Sequence, residues 1–369
     1  MSSFSELPIL PSLAKSLAEQ GIKKPTEIQA KTIVPQLERK NVVGVAQTGS
    51  GKTLAYVLPM LHTLKCLEEE GSAVSQPSQP RGVVLVPARE LGTQVGKVFK
   101  SLTHGTRLRV RMALGASAKK TARQSVAGKF EVLVATPGRL SQLVASGDVS
   151  LVDVRSVVID EADRMLDASF IPVVQKILRS CPTGAQLVLF SATLPKSMDQ
   201  AVASLFSKPP LVVRTRGSQR VVPTLSVEYR PIVEANRYDA VRQIIESNPE
   251  RGTLLFVNTV RQCDALAEWL DEQDLDHVMY RGQMDRVERS TNLRSFREGD
   301  VSVLLTTDLG GRGLDIDRIA CVVNVHMPAD VDTYLHRAGR TARAGRPGLV
   351  VNLVGQRDHP LVAKLRKRD

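Results

Sequence analysis

The chain has 369 residues, 42% of them hydrophobic, and a formal net charge of +12 with an isoelectric point near 9.7. That length is too great for one ordinary core and fits two domains, no apolar run is long enough to span a bilayer, and Met1-Ser2-Ser3-Phe4 lacks the basic-then-apolar pattern of a secretory signal. The charge favours a polyanionic partner, nucleic acid first.

Aromatic residues are only 4% of the chain, fewer than base stacking would use, so contact with a nucleic-acid backbone is the expected mode. Cys66, Cys181, Cys263 and Cys321 form no CxxC pair and no Cys/His cluster with metal-ligand spacing. Reduced, packed thiols of a cytoplasmic protein are expected.

In chain order, short apolar β-branched runs alternate with helical stretches. They fall at 41–45, 83–87, 132–135, 157–159 and 187–190, and again at 254–257, 301–305, 322–325 and 349–354. Continuous apolar strands separated by helices predict parallel sheets covered on both faces, an α/β fold. Residues 68–81, low in apolar side chains and rich in Ser, Gln and Pro, read as a mobile surface loop. Between Arg214 and Pro223 the chain turns polar, as in an exposed linker, which divides it into residues 1–217 and 218–369. The closing basic run from Lys364 reads as a helix face or the start of a tail.

Within this frame Ala46-Gln47-Thr48-Gly49-Ser50-Gly51-Lys52-Thr53 follows a strand and precedes a helical run. This is the context of a phosphate-binding loop. The loop Gln47, Thr48, Gly49, Ser50 and Gly51 would cradle phosphates with its N–H groups, aided by the N-terminus of the next helix. Lys52 is expected to reach the β- and γ-phosphates, and Thr53 to ligate Mg²⁺. Ala46 stands where the generic pattern has Gly. The metal needs an acid, and the run 157–159 ends in Asp160-Glu161. Asp160 would hold Mg²⁺ through water, and Glu161 would orient or deprotonate the attacking water.

His336-Arg337-Ala338-Gly339-Arg340-Thr341-Ala342-Arg343 supplies Arg340 and Arg343 as candidates to neutralise transition-state charge. Salt bridging or direct contact with nucleic acid would use the same residue type. Both arginines lie in the second domain, so a site that uses them is complete only when the domains close.

These motifs, in this order, resemble the DEAD-box RNA helicases across nearly the whole chain, with Asp160-Glu161-Ala162-Asp163 as the tetrad. Gly21 to Gln29 resembles the family's Q motif, placed within residues 2–30, and Phe4 stands at its isolated upstream aromatic. The resemblance implies two tandem RecA-like domains joined by a short linker, with ATP and Mg²⁺ as cofactors. It implies that Gln29 and Phe4 read adenine, although Gln29 could equally cap a helix and Phe4 merely pack.

Pro87-Ala88-Arg89-Glu90-Leu91 and Thr136-Pro137-Gly138-Arg139 resemble the loops that grip the RNA backbone. Pro87, Arg89, Gly115, Thr136, Pro137 and Arg139 are the implied contacts in the first domain. Ser191-Ala192-Thr193 resembles the motif that bonds the tetrad near Asp163 and couples nucleotide state to closure. In the second domain the resemblance implies RNA contact by Thr259, Gly282, Arg289 and Thr307, ribose contact by Asp315, arginine fingers at Arg340 and Arg343, and coupling by His336. Departures are Gly115-Ala116 for paired glycines, Arg281-Gly282 for His-Gly, Arg286 for Gln, Gly310-Gly311 for small Ala residues, and Ala342 for Gly. An added arginine would strengthen backbone binding and steepen its salt dependence. The implied activity is ATP-driven local unwinding of short RNA duplexes or remodelling of RNA–protein complexes. An ATP-gated RNA clamp and a DNA-acting helicase are the alternatives.

Overall fold

Alternate residues of each central strand feed opposite cores, and that pattern dictates a sheet with helices on both faces. Val42, Val84, Val132, Val158 and Val188 pack in one buried cluster. Their neighbours Val43, Val83, Leu133, Val157 and Leu187 pack in another. Each such side chain contributes about 1.5–3 kcal/mol by leaving water. The computed structural model describes residues 3–47, 49–74, 76–115, 119–166, 170–194, 198–215, 225–248, 252–308, 316, 318–342 and 346–366. The chain divides into two units, Met1–Ser218 and Gln219–Asp369. The predicted linker lies mostly outside the described residues, as do Thr48, Gly310, Gly311, Asp315 and Arg343.

In the first unit the strands are β1 (Val42–Val45), β2 (Gly82–Leu85), β3 (Val110–Ala113), β4 (Val132–Ala135), β5 (Ser156–Asp160), β6 (Gln186–Ser191) and β7 (Leu211–Arg214). They pair in parallel in the order β3-β4-β2-β5-β6-β1-β7. In the second unit β8 (Leu225–Pro231), β9 (Gly252–Val257), β10 (Val278–Tyr280), β11 (Val303–Thr307), β12 (Ile319–Asn324) and β13 (Gly348–Val354) pair in parallel in the order β10-β11-β9-β12-β13-β8.

The apolar runs read from the sequence are the inner strands. The four they missed, β3, β7, β8 and β10, are the four sheet edges. An edge strand is wet along one side and needs no continuous apolar run. Exposure along β8 alternates accordingly.

A second difference concerns residues 68–81. Ser78 donates its backbone N–H to Gly128 O at 2.8 Å and its hydroxyl to Val126 O at 2.8 Å, and it accepts the Ser150 N–H at 3.0 Å. Arg81 pairs with Asp153 at 2.7 Å and is buried. Ser78 and Arg81 of this polar stretch are therefore tied to the body of the unit.

Parallel strands put every following loop on one edge of the sheet. Those after β5, β6 and β1 leave one half of it, and those after β3, β4 and β2 leave the other. Gly44 lets β1 lie close enough for this, because a Cβ there would fall 2.4 Å from the Phe190 ring.

Candidate nucleotide and RNA sites

The loop after β1 turns through Gly49 at φ +77° and Gly51 at φ +88°, and the helix Lys52–Glu69 begins at once. Left-handed backbone of this kind favours glycine. Lys52 Nζ donates to the carbonyls of Ala46 and Gln47 at 2.6 and 2.7 Å, so the loop's own carbonyls hold its cation. Gln29 is buried. Its amide oxygen accepts the Thr26 N–H at 2.8 Å and its amide nitrogen donates to Gly51 O at 2.9 Å. It caps the helix Glu27–Leu37 and ties it to the loop in one side chain. Phe4 is also buried and belongs to the core against this helix.

Asp160 ends β5 and is buried. Its Oδ2 accepts the Tyr56 hydroxyl at 2.8 Å, and its Oδ1 accepts the Glu161 N–H at 2.9 Å. Burial and the neighbouring Glu161 charge push its carboxyl up to about 6, against the opposing pull of Lys52. Tyr56 also hydrogen-bonds Thr53, and burial drives its phenol well above the ordinary range. Sequence reasoning missed Tyr56. Its signal was the i,i+4 spacing from Lys52, which puts both on one helix face.

Glu161 adopts φ +52°, and its Oε2 meets Arg164 Nη1 at 2.6 Å. Arg164 was likewise unassigned. Asp163 and the motif after β6 are in contact. Asp163 Oδ2 accepts from Thr193 Oγ1 at 3.0 Å and Thr193 N at 3.2 Å, while the Asp163 N–H donates to Ser191 Oγ at 3.2 Å.

On the other half of this edge, Thr136 N donates to Ala113 O at 3.2 Å and Arg89 Nη1 to Gly115 O at 3.5 Å. A Cβ on Gly115 would sit 3.8 Å from Thr136 Oγ1. Pro87, Arg89, Gly115 and Thr136 are therefore neighbours. Pro137 starts the helix Pro137–Ala145, and Arg139 reaches Gln142 Oε1 at 3.1 Å.

In the second unit the organising residue is Arg337, 1% exposed. Its Nε and Nη2 take both oxygens of Asp308 at 2.6 and 2.7 Å. Nη2 also reaches Asn258 Oδ1 at 2.7 Å, and Nη1 reaches Asn324 Oδ1 at 3.0 Å and His326 O at 2.7 Å. The loops after β9, β11 and β12 thus converge on one guanidinium, which also lies 5.1 Å from the Phe256 ring centroid. Polar residues just past apolar strands are the one sign of this hub in the sequence.

Arg340, three residues on, is buried and its Nε donates to His336 O at 3.1 Å. His336 lies in the last turn of the helix Val331–Ala338. Thr307 ends β11, buried. Thr259 caps the helix Val260–Glu272 by accepting the Gln262 N–H at 3.2 Å. Gly282 faces open space, and Arg289 lies 5.7 Å from the Tyr280 ring centroid. Arg281 is paired with Asp264 at 2.5 Å, with its side chain 20% exposed. The pairing restrains it, so the arginine that replaces His in the family pattern is not simply an added cation for RNA.

This arrangement agrees with what known proteins show. A family model described as DEAD/DEAH box helicase matches residues 26–201, and one described as helicase conserved C-terminal domain matches residues 236–345. The DEAD-box ATP-dependent RNA helicase CshA of Geobacillus kaustophilus is 33% identical over 358 residues, covering 97% of this chain and 74% of that protein. The ATP-dependent RNA helicase SrmB of Escherichia coli is 34% identical over 366 residues, covering 99% of this chain and 81% of that protein. Among solved structures, S. cerevisiae Dbp5 bound to RNA and ADP BeF3 matches with a TM-score of 0.88 at 28% identity, over all of this chain and 93% of that one. The chain belongs to the DEAD-box ATP-dependent RNA helicases.

Proposed function

We propose that the chain hydrolyses ATP in an RNA-dependent cycle, and that the cycle locally unwinds short RNA duplexes or remodels RNA–protein complexes through backbone contacts. One observation carries this reading. The loops after β1, β5 and β6 bring Lys52, Asp160, Glu161, Ser191 and Thr193 to one half of a sheet edge, and those after β2, β3 and β4 bring Arg89, Gly115 and Thr136 to the other. Ligands of open α/β sheets bind outside the carboxyl ends of the strands. The family, and the nucleotide and RNA held by Dbp5, support the same assignment.

In this reading Gln47, Thr48, Gly49, Ser50 and Gly51 cradle the phosphates, and Lys52 leaves its two carbonyls to bind them. Phe4 and Gln29 meet adenine, for which Gln29 exchanges one of its present hydrogen bonds. A buried carboxylate that burial disfavours as an anion suits a cation site, so Asp160, through water, and Thr53 would hold Mg²⁺. The ion would neutralise phosphate charge there. Glu161 orients or deprotonates the attacking water. Asp163, Ser191 and Thr193 relay nucleotide state. Asp315 meets ribose; Pro87, Arg89, Gly115, Thr136, Pro137, Arg139, Thr259, Gly282, Arg289 and Thr307 contact RNA.

Residues 1–217 and 218–369 act as the two domains. ATP and RNA each favour their closure, which makes the two ligands bind cooperatively. Arg340 and Arg343, steadied by His336, then stabilise transition-state charge. The protein works as a monomer in the cytoplasm, and partner proteins supply RNA choice.

The test is ATP hydrolysis at low salt with RNA, with DNA and with neither, alongside strand separation on short duplexes. RNA must stimulate turnover and DNA must not. Equal stimulation by DNA would favour a DNA-acting enzyme, and ATP-gated RNA binding without turnover would favour a clamp.

A further inference from the structure

Residues 91–130 contain nine Lys and Arg and no Asp or Glu, against a net charge of +12 for the whole chain. This stretch builds the outer edge of the first unit. It contributes most of the helix Arg89–Thr103, then β3, then the helix Lys119–Ser125. Exposure alternates ahead of and into β3. Leu108 is buried and Val110 packs against the core, while Arg107, Arg109 and Arg111 are exposed. Alternate side chains of an extended strand stand about 6.7 Å apart, so Arg109 and Arg111 form a row, and Arg107, at φ +58°, lies at the turn that leads into it.

Gly92 and Gly96 draw the helix down onto this edge. A Cβ at either would meet Leu114 at 2.3 Å or Met112 Sδ at 2.4 Å. That leaves Lys97 and Lys100 exposed on its free flank. Arg109 is taken up by Glu131 and Arg123 by Asp148. Among the described residues, Lys97, Lys100, Arg107 and Arg111 have no ion-pair partner.

We propose that this edge is a second RNA-contacting surface, holding the phosphate backbone of RNA that flanks the segment gripped at Arg89, Gly115 and Thr136. It rests on the assignment of those three residues to RNA. β3 runs directly into Leu114 and Gly115, so the row of cations is continuous with that grip. Solubility is served by interspersed signs, whereas a field of one sign attracts a polyanion. A protein partner would call for apolar anchors. Among the described residues, the large exposed hydrophobics, Val152, Leu211, Val212, Val233 and Val287, all lie outside this stretch.

The test uses the full chain with Lys97→Gln, Lys100→Gln, Arg107→Gln and Arg111→Gln combined. A control carries Lys15→Gln, Lys176→Gln, Arg179→Gln and Lys208→Gln, which removes equal charge elsewhere on the same unit. RNA-stimulated ATP hydrolysis is titrated with the shortest uridine oligomer that fully stimulates the unmodified protein, and with a polyuridine several times longer. For the edge variant, kcat is expected to hold with both RNAs, and half-saturation by the short oligomer to stay within about twofold. Half-saturation by the long RNA is expected to rise about tenfold, with the salt slope reduced by about 0.7 per lost contact. Equal weakening with both RNA lengths, equal weakening in the control, or no change overturns the proposal. Failure of the short oligomer to stimulate the unmodified protein would instead overturn the RNA-dependent reading beneath it.

Discussion

Arg164 Nη1 meets Glu161 Oε2 at 2.6 Å, so the carboxylate assigned to the attacking water is held by a cation three residues along its own chain. Both side chains are largely buried, 15% and 14% exposed, which shields the pair from solvent. Arg164→Ala should free Glu161 and raise ATP hydrolysis without RNA by up to about tenfold, the worth of one charge-assisted hydrogen bond. Steady-state rates with and without RNA check this, and Glu161→Gln should lose turnover in both. An unchanged basal rate with a lower RNA-stimulated rate would mean that Arg164 orients Glu161 for the reaction.

Gly49 and Gly51 separate strain from collision. At Gly49, with φ +77°, no atom of the described residues beyond its chain neighbours lies within 4 Å of where a Cβ would stand, so Gly49→Ala should cost only backbone strain, about 1–2 kcal/mol. At Gly51 the added carbon would fall 2.3 Å from Gln29 Nε2. Gly51→Ala should therefore also displace Gln29 from the loop and weaken ATP binding by at least about tenfold more than Gly49→Ala, a difference of about 1.4 kcal/mol. Equilibrium titration with a fluorescent ATP analogue reads the difference. Equal losses would remove Gln29 from its bridging role.

Arg337 joins three loops inside the second unit. Arg337→Met leaves Asp308 without its bidentate partner in a largely buried place, and should destabilise that unit by about 3–5 kcal/mol. Urea unfolding followed by the fluorescence of Trp269 would show it. A shift below about 1 kcal/mol would mean that the hub is replaceable.

His326 gives the second unit a pH dependence. Burial, with the nearby Arg237 charge, pushes the imidazole down to about 4 from its ordinary 6.5. The folded chain holds it neutral while the unfolded chain protonates, so its contribution is full above pH 6.5 and is lost as pH falls toward 4. The loss at the lower end is below about 3 kcal/mol, because solvent screens a ring that is only partly buried. Urea midpoints across this window should fall, and His326→Gln should flatten the fall. A profile identical in that variant would assign the acid sensitivity to other groups.

Ala342 has φ +53°, a left-handed backbone that disfavours any side chain, at a position where the family commonly has glycine. Ala342→Gly should relieve up to about 1 kcal/mol, seen as a higher urea midpoint. The reciprocal change should fail. A Cβ on Gly348 would lie 2.5 Å from Ala342 N and 2.9 Å from its Cβ, so Gly348→Ala should destabilise strongly.

The chain's own order of residues was enough to place the inner strands, the glycine turn after β1, the acids at the tip of β5 and the hydroxyls at the end of β6. Each is written locally, as a continuous apolar run ending in polar chemistry, and a strand buried on both faces has no other way to be written. The edge strands were not legible because their pattern depends on which side is wet, and that is set by neighbours distant in sequence. Gln29 shows the same limit in one residue. Its place ahead of the phosphate loop could be read, but its bond to Gly51, 22 residues on, exists only because the helix Glu27–Leu37 packs beside β1. Tyr56 on Asp160, Arg164 on Glu161 and Arg337 on Asp308 and Asn258 are likewise decisions of the tertiary structure. A buried polar group takes whatever partner the fold delivers within about 3 Å, and sequence alone does not carry that distance.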